Sequence, residues 1–278
     1  MGPTNLEPEL RSLNVEERAI ASPKTISEAV VMGLFDLFKK SSTSTPKPKS
    51  PKELARLTRL VGNKLAQDYD RQEAIAELSS LGTSEACRAL LKRFDFNMEP
   101  SITDQDEKES AARGLVDAGQ VALQPLRDYC ARAESISWPL KVLRQIVEEE
   151  HLVDELLELL EQFDTEYLRN PEPKIQLITA LEAYQGEEVR IAVEPFLTDV
   201  NENVRFHAVG TVFAMNDAAA IQPLLQALSE EESLRVKNRI AGGIEQRGWK
   251  IPEALVEGCK SSLPDTFELH GDSLIRLG

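Results

Sequence analysis

Three histidines (His151, His207, His270) and three cysteines (Cys87, Cys130, Cys259) are the side chains of this 278-residue chain best suited to metal ligation or nucleophilic chemistry. Their spacing argues against both. Zinc hydrolysis draws on ligands gathered on one helix face, as in H-E-x-x-H, and no two histidines stand four residues apart. The C-x-x-C of zinc ribbons and redox dithiols is absent, and an odd, dispersed cysteine count leaves no disulfide framework. Each cysteine stands among apolar residues in a helical pattern and reads as a small packing residue. His207 lies within a helix, His151 opens another and His270 falls in a turn, so no shared site is expected. "AGGIEQRG", residues 241–248, is glycine-rich but matches neither a phosphate loop nor G-x-G-x-x-G; Gly242 and Gly243 read as places of close helix packing. No G-x-S-x-G elbow occurs. The expectation is no catalytic residue, no metal and no cofactor.

Charge narrows the partners. The formal net charge is -15, with 47 acidic against 32 basic side chains. Residues 39–64 hold eight bases and one acid, or +7, so -15 less +7 leaves -22 for the remainder. Such a body repels nucleic-acid phosphates. Trp138 and Trp249 are also too separated to make a base-stacking platform. The partner expected is another protein with a basic segment. Within "EEEHLVDELLELLEQFDTEY", 148–167, the acidic residues Asp154, Glu155, Glu158, Glu161 and Glu166 stand outside an apolar stripe. They form a candidate dock for a basic peptide, against the alternative of a solvated helix face. The loop "RFDFNMEPSITDQDE", 93–107, with Phe94, Phe96, Met98 and Ile102, either folds onto the body or binds a partner.

These residues must be positioned by a repeated element. Arg205, Ala208 and Val212 form a triplet of one base and two apolar residues on one helix face. The triplet returns as Arg71, Ala74, Leu78; as Lys108, Ala111, Leu115; as Lys174, Leu177, Leu181; and as Lys237, Ile240, Ile244. Pro139, Val142, Ile146 fits with proline in the basic place. The anchors 74, 111, 142, 177, 208 and 240 are 37, 31, 35, 31 and 32 residues apart. Such a period marks stacked helix pairs. After each anchor helix come a break and a second apolar segment, such as "AIQPLLQAL". Pro125, Pro195 and Pro223 occupy similar places in three of these, suiting a first helical turn or a kink.

On "NENVRFHAV", the anchor pairs and "AIQPLLQAL", residues 67–263 resemble HEAT-type repeats in the short form of phycobilisome-lyase-like proteins. The chain is also similar to uncharacterised bacterial HEAT-repeat proteins that open on "MGLFD". The resemblance implies an all-α fold, a right-handed α-solenoid of about six HEAT-like, armadillo-like helix pairs. It also implies that Arg71, Lys108, Lys174, Arg205 and Lys237 form a ladder, each paired with an acid of a neighbouring unit. The iron-dependent hydroxylases built on such repeats use His-Glu dipeptides, which are missing here. The fold serves many tasks, so it does not name one.

The ends differ from the repeats. Residues 1–50 read as a flexible segment, with a Ser/Thr/Pro/Lys linker at 41–51. Leu34, Phe35, Leu37 and Phe38, followed by Lys39 and Lys40, form a short amphipathic stretch, 32–40, able to make a weak peripheral membrane contact or dock on a partner. "MGLFDLFKK" from Met32 reads as a natural opening. Residues 264–278 alternate around "HGD" and are expected to form a hairpin-like cap on the last pair. No apolar run is long enough to span a bilayer and no secretory signal opens the chain, so the reading is cytoplasmic. Function is expected to be protein–protein scaffolding or adaptor work without catalysis; the alternative is an accessory subunit of a phycobilin-lyase-like enzyme.

Overall fold

The computed structural model describes residues 50–277. The stretch holding Leu34, Phe35, Leu37 and Phe38, and most of the linker, lies outside the described residues. From Pro51 onward the described chain is mostly helical, with one small antiparallel sheet. It opens with α1 (Pro51–Val61), where the Ser50 hydroxyl accepts from the Glu53 amide and Pro51 fills the first turn.

The six anchor segments each form a helix: α2 (Asp68–Ser79), α4 (Ser101–Ala118), α6 (Ser137–Ile146), α8 (Glu172–Leu181), α10 (Glu202–Ala214) and α12 (Leu234–Arg247). The six second segments form α3 (Ser84–Leu91), α5 (Leu123–Cys130), α7 (Glu149–Leu160), α9 (Glu187–Val193), α11 (Ile221–Glu230) and α13 (Val256–Ser262). Side-chain caps from Thr83, Asn201 and Ser233 start α3, α10 and α12. Pro125 and Pro223 lie in the first turns of α5 and α11. Pro195 instead follows α9, whose last turn becomes the 3-10 helix Glu194–Thr198. With no N–H, Pro195 cannot extend an α-helical ladder back to Ile191, which explains the short α9.

Packing runs in two series in chain order, interrupted between α6 and α8 in the first and between α5 and α7 and between α9 and α11 in the second, with α7 packed on α8. Among first helices, α2 meets α4, α4 meets α6, α8 meets α10 and α10 meets α12; among second helices, α3 meets α5, α7 meets α9 and α11 meets α13. Every anchor residue is buried except Ile146, the last residue of α6. One continuous apolar core runs from Leu57 to Leu274. Each fully buried leucine along it contributes about 1.5–3 kcal/mol, so burial between helices supplies most of the stability.

At the C-terminus β1 (Phe267–His270) pairs with β2 (Ser273–Arg276) in antiparallel register, Phe267 opposite Arg276. Gly271 turns the chain at φ +65°, a conformation open to glycine. The alternation buries Phe267 and Leu274, and β2 packs on α12.

The break placed at 93–107 is mostly helical: a 3-10 turn covers Lys92–Asp95 and α4 begins at Ser101. The polar run "DQDEKES" hid the helix because α4 buries charged residues, not apolar ones, along its first turns.

Candidate functional site

The most concentrated chemistry lies where α2, the turn after α3 and α4 meet. Helical spacing puts Asp104, Glu107, Lys108 and Ala111 on one face of α4, turned toward α2. Arg71, from α2, grips the Glu107 carboxylate with two nitrogens, Nε to Oε2 at 2.7 Å and Nη2 to Oε1 at 3.0 Å. Arg93 approaches the same carboxylate, Nε to Oε2 at 2.7 Å, and reaches Asp104 Oδ1 at 2.7 Å. Lys108 donates to Asp104 Oδ2 at 2.8 Å, and Asp68 takes Arg71 Nη2 at 2.7 Å. Arg71, Arg93 and Glu107 are fully buried. Three cations and three carboxylates cancel. Burial alone would push the Asp104 carboxyl up, but hydrogen bonds from Lys108 and Arg93 hold it below its ordinary value. Burial likewise opposes the Arg71 charge, and the Glu107 bond overcomes it, raising that guanidinium.

This centre is saturated, and it ties α2 and the turn after α3 to α4. Phe96 and Met98 belong to it: Arg93 lies 4.5 Å over the Phe96 ring, and the Met98 sulfur accepts from Arg71 at 3.2 Å. Both are half-buried, folded onto the body. Beside them a cavity of about 640 Å³ is lined by Phe94, which stacks on Trp138 at 5.8 Å, and by Tyr129, whose hydroxyl donates to Asp95 at 3.0 Å.

Cross-unit clasps recur. Lys174 donates to Asp199 Oδ2 at 2.6 Å, and Arg205 grips Glu231 at 2.7 and 2.8 Å. Hydrogen bonds from Arg205 and from the Ser233 amide overcome burial and hold the Glu231 carboxyl low. Two members of the expected ladder stand apart. Lys108 pairs within its own helix, and Lys237 has no ion pair among the described residues. In the unit led by Pro139 the seam is neutral: Gln176 Oε1 accepts from the Ile136 amide at 2.7 Å, and Asn170 donates to the Glu134 carbonyl at 2.8 Å. The partners Arg93, Glu107, Asp199 and Glu231 were not singled out by sequence. A search for an acid 25 or 26 residues after the base finds Asp199 and Glu231, but Glu107 lies 36 away.

The acidic face of α7 divides. Glu155 is 4 % exposed and spent on Arg127, so it is not part of an open patch. Glu158 is 61 % exposed and lies 3.1 Å from the same arginine. Asp154 and Glu161 are exposed. Between α7 and α9 opens a groove of about 690 Å³. Leu157, Leu160, Phe163, Ile191 and Phe196 line it, Ile191 being 54 % exposed. The charged residues on its lining are Glu161, Asp164 and Glu188, with no cation. Such a surface favours apolar side chains flanked by positive charge.

Other reactive groups stay apart. Burial pushes the Cys87 and Cys259 thiols up to about 11 and Cys130 to about 12, keeping them protonated at neutral pH. His151, His207 and His270 stand on α7, α10 and β1. Burial, then Arg239 and Arg235, lower the His207 pKa. Among the described residues one trio, Glu148, Glu150 and His151, brings potential ligand atoms within 4.8 Å of one another; all three are exposed. No described helix is long and apolar enough to cross a membrane. No protein-family model matches the chain, and no curated protein matches it in sequence.

Proposed function

We propose that this protein is a non-catalytic scaffold, a solenoid of HEAT-like helix pairs that docks a segment of another protein through the groove between α7 and α9. What supports the array is packing of first helix on first helix with the anchor residues turned inward. The observation that carries the docking role is the groove itself, an apolar floor with Glu161, Asp164 and Glu188 and no cation on its lining. The partner segment presents apolar side chains at helical spacing, flanked by lysine or arginine.

The test is fluorescence anisotropy with a synthetic amphipathic peptide, leucines on one face and lysines at both ends, against the full chain. Saturable binding that weakens with salt is expected, since exposed charges are screened. Affinity falls at least about tenfold in Ile191→Asp and in the double variant Glu161→Lys, Glu188→Lys. A peptide bound equally well by these variants, or not bound at all, removes the groove from consideration.

A further inference from the structure

Against an acidic background, one cleft of this molecule gathers arginines and leaves them without carboxylates. It lies between α10, α12 and β2, encloses about 360 Å³, and carries Arg239, Arg247 and Arg276 on its lining. Elsewhere among the described residues, each buried or half-buried arginine holds a carboxylate: Arg71, Arg93, Arg127, Arg190 and Arg205. Arg239, though half-buried, makes no hydrogen bond or ion pair among the described residues. Arg247 spends two nitrogens on the Gly243 and Phe213 carbonyls, at 3.2 and 2.7 Å, and its buried Nε has no hydrogen-bond partner. The other buried nitrogen lacking a hydrogen bond, Arg190 Nε, is different in kind, for it lies 2.8 Å from Asp217. Glu182 is the cleft's one carboxylate and forms no ion pair with the three, leaving a formal excess of +2.

The cations are held in place. Arg239 lies 3.9 Å over Phe206, Arg247 4.7 Å over Phe213 and Arg276 5.1 Å over Phe267. Glycines make room for this. A Cβ on Gly210 would stand 2.0 Å from Arg239 Nη2, and one on Gly243 would stand 2.2 Å from the Phe213 ring. The glycines of "AGGIEQRG" therefore let the Phe213 ring and the Arg276 guanidinium approach the α12 backbone closely. Burial depresses the Arg239 and Arg247 guanidinium pKa; at Arg239 the Glu182 charge opposes the fall and Arg235 adds to it. Aromatic support fixes the guanidinium planes in advance, and such preorganisation favours an incoming anion.

We infer that this cleft binds the phosphoryl group of a phosphomonoester, whether free or carried on a protein side chain. A phosphomonoester brings about -1.5 to -2 charge and three acceptor oxygens, close to the cleft's excess, where a carboxylate brings one charge and two oxygens. The cavity exceeds a bare phosphate and has room for the group that bears it. The inference is independent of the α7–α9 groove.

Trp249 supplies the readout, since Arg247 lies 5.7 Å from its ring and Trp138→Phe leaves it the sole tryptophan. The full chain carrying that change is titrated with inorganic phosphate, a phosphoserine peptide, its unphosphorylated form and acetate. Phosphate and the phosphopeptide are expected to change Trp249 emission saturably, with Kd below about 1 mM for the better of the two. Similar affinities identify a free phosphoryl ligand; a phosphopeptide about tenfold tighter identifies a protein-borne one. Arg276→Gln, at an exposed strand residue, and Arg239→Gln each weaken binding about tenfold or more, with folding checked by circular dichroism. Binding of the phosphopeptide also weakens below about pH 6 as the phosphoserine dianion takes up a proton. No saturable response to either phosphate probe overturns the inference. So does acetate binding as well as phosphate, or unchanged affinity in both folded arginine variants.

Discussion

The α2–α4 centre and the α10–α12 cleft are built from the same helix-on-helix arrangement, yet they treat arginine in opposite ways. In the first, Arg71 and Arg93 converge on Glu107, and the charges cancel beneath the surface. In the second, Arg239 and Arg247 rest on Phe206 and Phe213 with no carboxylate in hand. Buried ion pairs hold helices together only when complete, because an isolated buried charge is strongly unfavourable. A charge left incomplete at an open cleft is the cheaper arrangement, since solvent or an anion can finish it. Where a carboxylate is supplied, arginine serves cohesion, as Arg205 does with Glu231 at the same α10–α12 junction; within the cleft it stays available.

The largest effect expected from breaking this contrast is at Glu107. Glu107→Gln leaves two buried guanidiniums sharing a neutral amide, and urea unfolding should show a loss of about 3–5 kcal/mol. The corresponding change at the cleft, Glu182→Gln, should stay within about 0.5 kcal/mol. An equal loss at both would erase the distinction.

A smaller loss is expected for Glu231→Gln. Its partner Arg205 has an 18 % exposed side chain and keeps its bond to the Asp199 carbonyl, so the loss should be about 1.5–3 kcal/mol by the same measurement.

The pH dependence has a definite sign. Asp104 and Glu231 have folded pKa values below their ordinary 3.8 and 4.5, so their stabilisation is complete above those values. It drains as pH falls below about 4.5 and through the folded pKa values. Unfolding curves between neutral and acid pH should therefore steepen in that window. Asp104→Asn should lose stability at neutral pH and show a shallower acid slope.

The smallest change in stability is expected in the cleft. Arg239→Met keeps apolar contact with Phe206 and removes an unpaired charge, so stability should be unchanged or raised by up to about 1 kcal/mol. Gly210→Ala sharpens the point, because its Cβ displaces a flexible guanidinium end. Thermal unfolding should scarcely move while phosphate affinity, read from Trp249, falls about tenfold, as in Arg239→Gln.

Much of the helix order was legible in the sequence because helical periodicity is local. Ala74 and Leu78, or Ala208 and Val212, announce a buried face within one turn. The hairpin was legible for the same reason, through alternation around Gly271. Charge partners were not. Glu155 looks like Glu158 until Arg127, 28 residues away, is brought beside one of them. The opening of α4 resembled a loop because Asp104, Glu107 and Lys108 are polar, and only tertiary pairing makes them interior residues. The arginine cleft left one local trace, paired glycines in "AGGIEQRG", which signalled close approach but not what approaches.

The neutral seam at Gln176 has its own consequence. Its bonds run from side-chain amides to Ile136 and Glu134 backbone, and amides do not titrate. As acid releases the carboxylate clasps on either side, this junction keeps its grip. The bonds of Gln176 and Asn170 to the residue 134–136 turn should therefore outlast the carboxylate clasps as the pH falls.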